Sequence, residues 1–332
     1  MRVIRLYGPR DLRLTEEAAP AVATGETLVR VTDVGICGSD LHWFEEGGIG
    51  DARLTRPVVP GHEIAGVVAS GPSAGTLVAV DPAIPDGVCP TCLRGYRNLC
   101  PSVLFAGHGM IDGGLRELMA WPAHLLHPLP PGLSTTDGAV LEPLGVAIHA
   151  VGLGHLRTAS AVAVVGCGPI GLLLIQVALA SGATSALAID PLPHRRDKAA
   201  RCGATLVLTP EEARERAGEL AVDVVFEMAG NDAAVDQAMD LVRPGGRVVL
   251  GGIPTDDQTS FSASVARRKG VTIALVRRMT DDVYERGARL VERGLVDVTS
   301  LVTARYPLEK AAEAFESAVI RQGLKVVVQP SS

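Results

Sequence analysis

One hexapeptide constrains this chain more than any other feature. Gly166-Cys167-Gly168-Pro169-Ile170-Gly171 follows a short apolar run at 162–165 and leads into an apolar stretch at 170–180 whose length suits a helix. A glycine pattern of this kind is weak evidence alone. Between a strand and a helix, it specifies a tight turn with unpaired helix amides facing a phosphate. Gly166 permits the turn, Gly168 lets the backbone approach a pyrophosphate, and Gly171 lets the helix pack closely on the strand. Asp190 ends the next apolar run, nineteen residues beyond Gly171, where a carboxylate accepts ribose hydroxyls. A dinucleotide is therefore expected at Gly166, Gly168, Pro169, Ile170, Gly171 and Asp190, with Gly252 and Arg195 added to the set. Asp190 favours NAD over NADP, because a carboxylate repels a 2′-phosphate. Arg195 and Arg196 lie close enough to soften that preference.

The rest of the chain supports two domains. Apolar runs at 186–189, 206–208, 223–226, 247–250 and 271–275 continue the pattern begun at 162–165, with helical stretches between most of them. Six short strands alternating with helices predict an α/β fold with a doubly wound parallel sheet. Residues 1 to 145 differ: short β-type runs at 27–34, 63–69 and 76–80 are broken by Gly, Pro and Asp, which predicts an irregular, mostly antiparallel β region. After Arg277 the sequence offers helices at 282–293 and 308–319 and an apolar strand at 324–328. This tail is too small for a domain and is expected to return to the first. The expected division is 146–277 for the dinucleotide domain and 1–145 with 278–332 for the other. A length of 332 residues accommodates both.

Composition removes several function classes. With 47% hydrophobic and 20% charged residues, the chain is neither disordered nor a coiled coil. A net charge of −6 without a basic run argues against nucleic acid as a partner. The charged start lacks the apolar centre of a signal peptide, and no apolar stretch is long enough to span a bilayer. A soluble, cytoplasmic protein with no membrane partner is the expectation.

Two further constellations carry chemistry. Gly35-Ile36-Cys37-Gly38-Ser39-Asp40-Leu41-His42 holds a thiol, a hydroxyl and an imidazole, Gly61-His62-Glu63 follows, and Glu142 precedes the dinucleotide region. Cys37, His62, Glu63 and Glu142 are suitable ligands for a catalytic zinc, which needs three protein ligands and an open position. Of the six cysteines, Cys89, Cys92 and Cys100 cluster. In a large chain with no secretion signal such a cluster points to metal before disulfides. Stepping back by the same interval gives Asp86, so Asp86, Cys89, Cys92 and Cys100 form a candidate structural zinc site. Cys167 and Cys202 read as packed thiols. His108, His124, His127, His149 and His155 have no paired ligand spacing and read as structural or surface residues.

GICGSDLH, PGHE, the cysteine lobe ending in NLC, LEPLGVAIHA, VGCGPIG and YPLEKAAEAFE together resemble the zinc-containing medium-chain dehydrogenases, over nearly the whole chain. Within that superfamily the chain is most similar to the polyol branch, with its sorbitol (L-iditol) and L-idonate 5-dehydrogenases. The resemblance implies a GroES-like catalytic domain, built from both chain ends around a Rossmann domain, in a homodimer or homotetramer. It implies Zn2+ on Cys37 and His62, with Glu63 completing the set and Glu142 contacting zinc directly or through its water. Ser39 and His42 match proton-relay positions, and Arg277 and Trp43 match positions near the substrate. The implied reaction passes a hydride from a secondary hydroxyl of a polyol or sugar acid to NAD, giving a ketose or keto acid.

Two departures stand out: Asp86 replaces the usual first lobe cysteine, and Trp43 occupies a position often held by tyrosine in sorbitol dehydrogenases. The rival expectations are oxidation of simple secondary alcohols or of an aldose at C1. A zinc-free quinone reductase would leave Cys37, His62 and Glu63 unexplained, and a non-catalytic NAD-binding protein would have no use for Ser39 and His42.

Overall fold

The glycine turn rises from the middle of a six-stranded parallel sheet. A computed structural model describes residues 1–109, 111–255 and 258–331. In it Ala161–Val165 is flanked by Ser185–Ile189 on one side and Val222–Glu227 on the other. Leu206–Leu208 lies outside the first neighbour; Val242–Leu250 and Thr272–Leu275 lie outside the second. This is the expected doubly wound sheet, and strand order reverses at Ala161–Val165. Val162, Ala163, Val164 and Val165 are all buried, as a central parallel strand covered on both faces requires. The helix Pro169–Ala180 starts directly from the turn, with Pro169 in the first helical position where its missing N–H costs nothing.

A seven-stranded sheet forms the second element. Along its main path run Leu126–Pro128, Leu77–Val80, Glu63–Val68, Glu26–Gly35, Lys325–Gln329 and Val302–Pro307, and Leu118–Pro122 also pairs with Glu26–Gly35. Its pairings are antiparallel except that of Val302–Pro307 with Lys325–Gln329. Alternation in these strands sends Val31, Ile64, Val80 and Val328 into the interior, beside Trp43, Phe44 and Leu115. Each large apolar side chain so buried contributes roughly 1.5–3 kcal/mol.

By contact the chain divides into one unit of Met1–Glu142, Thr280–Glu292 and Val298–Ser332, and another of Pro143–Met279 with Arg293–Asp297. The change of unit at Pro143 falls inside the helix Thr135–Gly154. The start of that helix is tied to the antiparallel sheet: Thr135 and Thr136 donate their hydroxyls to buried Asp33 at 2.6 and 2.8 Å.

The tail differs from its sequence reading in two details. Val302–Pro307 is a strand, hidden in the sequence because its half-exposed edge position carries Thr303, Arg305 and Pro307. The helix expected at 308–319 begins as a single tight turn, Leu308–Lys310, and becomes α-helical only over Ala311–Val319. Among the described residues, no helix is long and apolar enough to cross a membrane.

Candidate active site

The pocket in the antiparallel unit begins at a helix start. Cys37 precedes the helix Gly38–Glu46, and Asp40, three residues on, accepts the Cys37 backbone N–H through Oδ2 at 2.9 Å. This reciprocal cap fixes where the Cys37 side chain starts. The other oxygen of Asp40 reaches across the fold. Oδ1 lies 3.2 Å from His62 Nδ1 and accepts the Gly61 N–H at 3.3 Å. Both side chains are buried. Burial alone would raise the Asp40 carboxyl and lower His62. Their mutual attraction outweighs that cost, holding Asp40 below its usual range and lifting His62 well above its own. Because Asp40 engages Nδ1, the other ring nitrogen is directed elsewhere: Ser39 Oγ lies 3.5 Å from His62 Nε2.

Ligand atoms of Cys37, His62 and Glu63 all lie within 4.8 Å of one another. Glu63 opens its strand opposite Gly35, and a side chain on Gly35 would collide with Glu63 Oε2. The carboxylate is fully buried and is held by Lys325, whose Nζ donates to Oε1 at 2.6 Å, to Oε2 at 2.7 Å and to the Ile36 carbonyl at 3.0 Å. Burial opposes the Lys325 ammonium, but Glu63 more than offsets it and raises its pKa. Glu142 lies in the helix Thr135–Gly154, within the electrostatic reach of His62, Glu63 and Lys325, and burial pushes its carboxyl up to about 7. A thiol, an imidazole and a carboxylate grouped in a buried pocket suit zinc, which takes sulfur, nitrogen and oxygen donors.

The remaining predicted residues of this pocket share one helix. Ser39 is buried, and His42, three residues on, lies on the same face, with Nδ1 3.1 Å from Glu46 Oε1. Trp43 is buried beside His108, their rings 5.7 Å apart. Arg277 belongs to the other unit, just beyond Thr272–Leu275, and is exposed.

Sequence reasoning missed three neighbours. Asp40 stands in the Gly35–His42 motif with no role that its spacing assigns. His108 reads from its spacing as structural or surface, whereas its ring lies 4.9 Å from that of His62, and Asp40, His62 and His108 themselves form a group of metal-ligand spacing. Lys325 did leave a signal: a lysine heading the apolar strand Lys325–Gln329 needs a buried partner.

The cysteine lobe is a second, separate cluster. Ligand atoms of Asp86, Cys89, Cys92 and Cys100 lie within 4.8 Å of one another. Asp86 Oδ1 accepts the N–H groups of Val88 and Cys89 at 3.0 Å each, which holds its carboxyl below the usual range. Cys89 Sγ accepts the Cys92 N–H and Cys100 Sγ that of Asp86, both at 3.4 Å. Burial and the neighbouring thiols push Cys92 up to about 12. No disulfide engages these cysteines. A cation would offset the crowding of sulfur and carboxylate, so three sulfurs and one oxygen fit a closed zinc site.

The glycine turn shows space for a dinucleotide. Gly166 has φ 96°, and a side chain there would press on the Ala229 backbone N at 2.8 Å. Gly168 is different: a Cβ would have only the Arg195 guanidinium near it, at 3.8 Å, so the backbone is open to close approach. Asp190 is buried beside the turn and accepts the N–H of Cys167 at 2.8 Å and of Leu192 at 2.9 Å. Arg195 Nη1 lies 3.7 Å from Asp190 Oδ2, while Arg196 instead donates to the carbonyls of Asp190 and Pro191.

Comparison with known proteins gives consistent matches. Residues 23–131 match the alcohol dehydrogenase GroES-like domain and residues 169–293 the zinc-binding dehydrogenase family. Sorbitol dehydrogenase of Homo sapiens is 36% identical over 338 residues, covering 98% of this chain and 94% of that protein. Sorbitol dehydrogenase of Bacillus subtilis is 32% identical over 345 residues, covering 100% and 98%. The crystal structure of L-idonate 5-dehydrogenase from Escherichia coli superposes with a TM-score of 0.92 at 27% identity, covering 99% of this chain and 97% of that one.

Proposed function

The chain belongs to the polyol branch of the zinc-containing medium-chain dehydrogenases, enzymes acting on CH–OH groups, and from that premise we propose that it oxidises a secondary hydroxyl of a polyol or sugar acid with NAD, giving a ketose or keto acid. The observation that carries this reading is the close grouping of half-buried Cys37 with buried His62 and Glu63, with Asp40 behind the imidazole and Lys325 behind the carboxylate. These three residues would hold zinc, with Glu142 beside them. When bound, zinc supplies Lewis-acid polarisation of the substrate hydroxyl, and NAD supplies the hydride acceptor.

The chain's own residues do the rest. Asp40 fixes the His62 tautomer and ring orientation, as an outer partner of a ligating histidine does. Ser39 Oγ takes the proton leaving the substrate hydroxyl. His42, on the same helix face and backed by Glu46, carries it toward solvent. Trp43 bounds the substrate, and Arg277 attracts a polar or anionic one such as an aldonate. Cys89, Cys92, Cys100 and Asp86 would hold a second, structural zinc.

Asp190 supports NAD over NADP, since its fixed negative charge disfavours a 2′-phosphate, and Arg195 is the residue that would soften the preference. A homodimer or homotetramer is supported by the edge strand Thr272–Leu275, whose Leu275 is 74% exposed, and by exposed Val88, Leu93 and Tyr96 on the lobe.

A screen of NAD reduction over polyols, aldonates, aldoses and simple secondary alcohols, with NADP in parallel, tests the reading. Turnover of a polyol or aldonate with NAD is expected. Turnover confined to simple alcohols or aldoses would replace the substrate assignment, and no turnover by zinc-loaded protein would remove the function.

A further inference from the structure

The mechanism above leaves one buried carboxylate unused. In the parallel sheet Val165, which enters the glycine turn, pairs with Ile189 on one side and Glu227 on the other. Asp190, one residue beyond Ile189, and Glu227 therefore flank the turn on opposite sides. Both are buried, and both are satisfied by backbone amides. Glu227 Oε1 accepts the N–H groups of Ala229 and Gly230 at 2.7 Å each, and the Gly252 N–H also favours its charged form. Among the described residues no cation pairs with it. Burial raises the carboxyl above its usual range while these three N–H groups oppose the rise.

The chain closes tightly around this charge. A side chain on Gly252 would collide with Gly230 N and come within 2.9 Å of Glu227 Oε2; one on Gly230 would press on Ile253 O at 2.5 Å. The ends of Val222–Glu227 and Val242–Leu250 thus meet through glycines over the carboxylate. A neutral residue would avoid the cost of burying a charge here, so the charge needs a reason.

Topology supplies one. In a doubly wound sheet the dinucleotide crosses the carboxyl ends of the strands at the switch point. With Asp190 on the adenosine ribose, the nicotinamide half would extend over the strand ends at Glu227 and Gly251–Gly252. The oxidised ring is cationic and the reduced ring is neutral. We propose that Glu227 is a positioning residue whose buried carboxylate favours the oxidised over the reduced nicotinamide, while its amide bonds hold 228–230 and Gly252 beneath the ring. The inference rests on the NAD reading above.

Calorimetric titration of zinc-loaded wild type, E227Q and E227D with ADP-ribose, NAD+ and NADH tests it. In E227Q the Kd for NAD+ should rise at least about tenfold, with those for NADH and ADP-ribose within about twofold of wild type, as expected for loss of one charge within roughly 12 Å at an effective dielectric of about 20. E227D keeps the charge on a shorter arm and should weaken both nicotinamide forms alike, leaving their ratio unchanged. Equal shifts for NAD+ and NADH in E227Q, or no shift, would overturn the proposal in favour of a purely structural carboxylate. If E227Q shows no cooperative melt, E227N removes the charge instead and is read by the same criteria: a loss confined to NAD+ supports the proposal, and equal shifts or none overturn it. Wild type that binds neither NAD+ nor NADH would overturn the NAD reading and this inference with it; normal wild-type binding with an unchanged ratio in E227Q removes this inference alone.

Discussion

The candidate ligands of the buried pocket come from distant parts of the chain, and two of them have protein partners of their own; those of the lobe come from fifteen consecutive residues and lean on one another. Cys37 sits at a helix start capped by Asp40, His62 is held by Asp40, and Glu63 is held by Lys325, 262 residues away in sequence. In the lobe, Asp86, Cys89, Cys92 and Cys100 are linked by short-range N–H bonds to sulfur or carboxylate, and the surrounding Val88, Leu93 and Tyr96 are exposed. The pocket's framework is thus built by protein partners, whereas the lobe has few such supports of its own. A preorganised site spends little on rearrangement when its ion binds. A lobe of this kind gains its order from the ion.

The comparison can be broken most directly at Cys37. Cys37→Ser should lower turnover at least ~10³-fold and reduce the zinc content by one, with a cooperative melt retained, because the other partners still hold the pocket. Collapse of the fold would show that the pocket is organised by its metal after all. Lys325→Met leaves Glu63 buried without its cation and should cost about 3–5 kcal/mol in denaturant unfolding, with Lys325→Arg recovering part of the loss. An unchanged midpoint would mean that Lys325 does not compensate Glu63.

Ser39→Ala should leave NAD binding intact and slow turnover about 10²-fold in single-turnover kinetics. Unchanged turnover would remove Ser39 from proton transfer. Asp86→Ala should release the lobe's zinc and lower the melting temperature by roughly 5 °C while turnover per folded chain stays within about threefold. Restoration of the zinc in Asp86→Cys would confirm position 86 as a ligand, and a zinc content unaffected by Asp86→Ala would exclude it.

The smallest effect concerns the clamp behind the pocket. Arg5 bridges Glu17 at 2.5 Å and Asp112 at 2.9 Å, and Asp112 accepts the Val59 N–H, which anchors the segment leading to His62. Both carboxyls are held below their usual range; burial opposes this at each, and Arg5 outweighs it. A lowered folded-state pKa gives stability that is present above about pH 4 and is lost as pH falls below it. Arg5→Met should cost about 1 kcal/mol near neutral pH and make the loss of stability on acidification shallower, measured by urea unfolding from pH 7 to 3. An identical acid profile in the variant would show that the clamp contributes nothing.

What could be read in advance follows the reach of each signal. The glycine turn was legible because Gly166, Gly168 and Gly171 answer local demands of a strand–turn–helix unit, and Asp190 follows at a distance set by that unit. Cys37 and His62 stood out because ligand chemistry is restricted to few residue types. Their supports did not stand out. Asp40 acts on His62 across twenty-two positions, His108 meets His62 through a loop with no ligand spacing, and Lys325 reaches Glu63 only because Lys325–Gln329 pairs with Glu26–Gly35. Glu227 was invisible for the same reason, since its charge is held by glycine-rich strand ends that sequence spacing does not bring together. A residue type announces what it can bind; its partners are set by the topology.

Zinc content of the purified protein, measured by elemental mass spectrometry, tests the account most directly. Two zinc ions per chain are predicted, one in the Cys37–His62–Glu63 pocket and one in the Asp86 lobe. A content of one or none would contradict it.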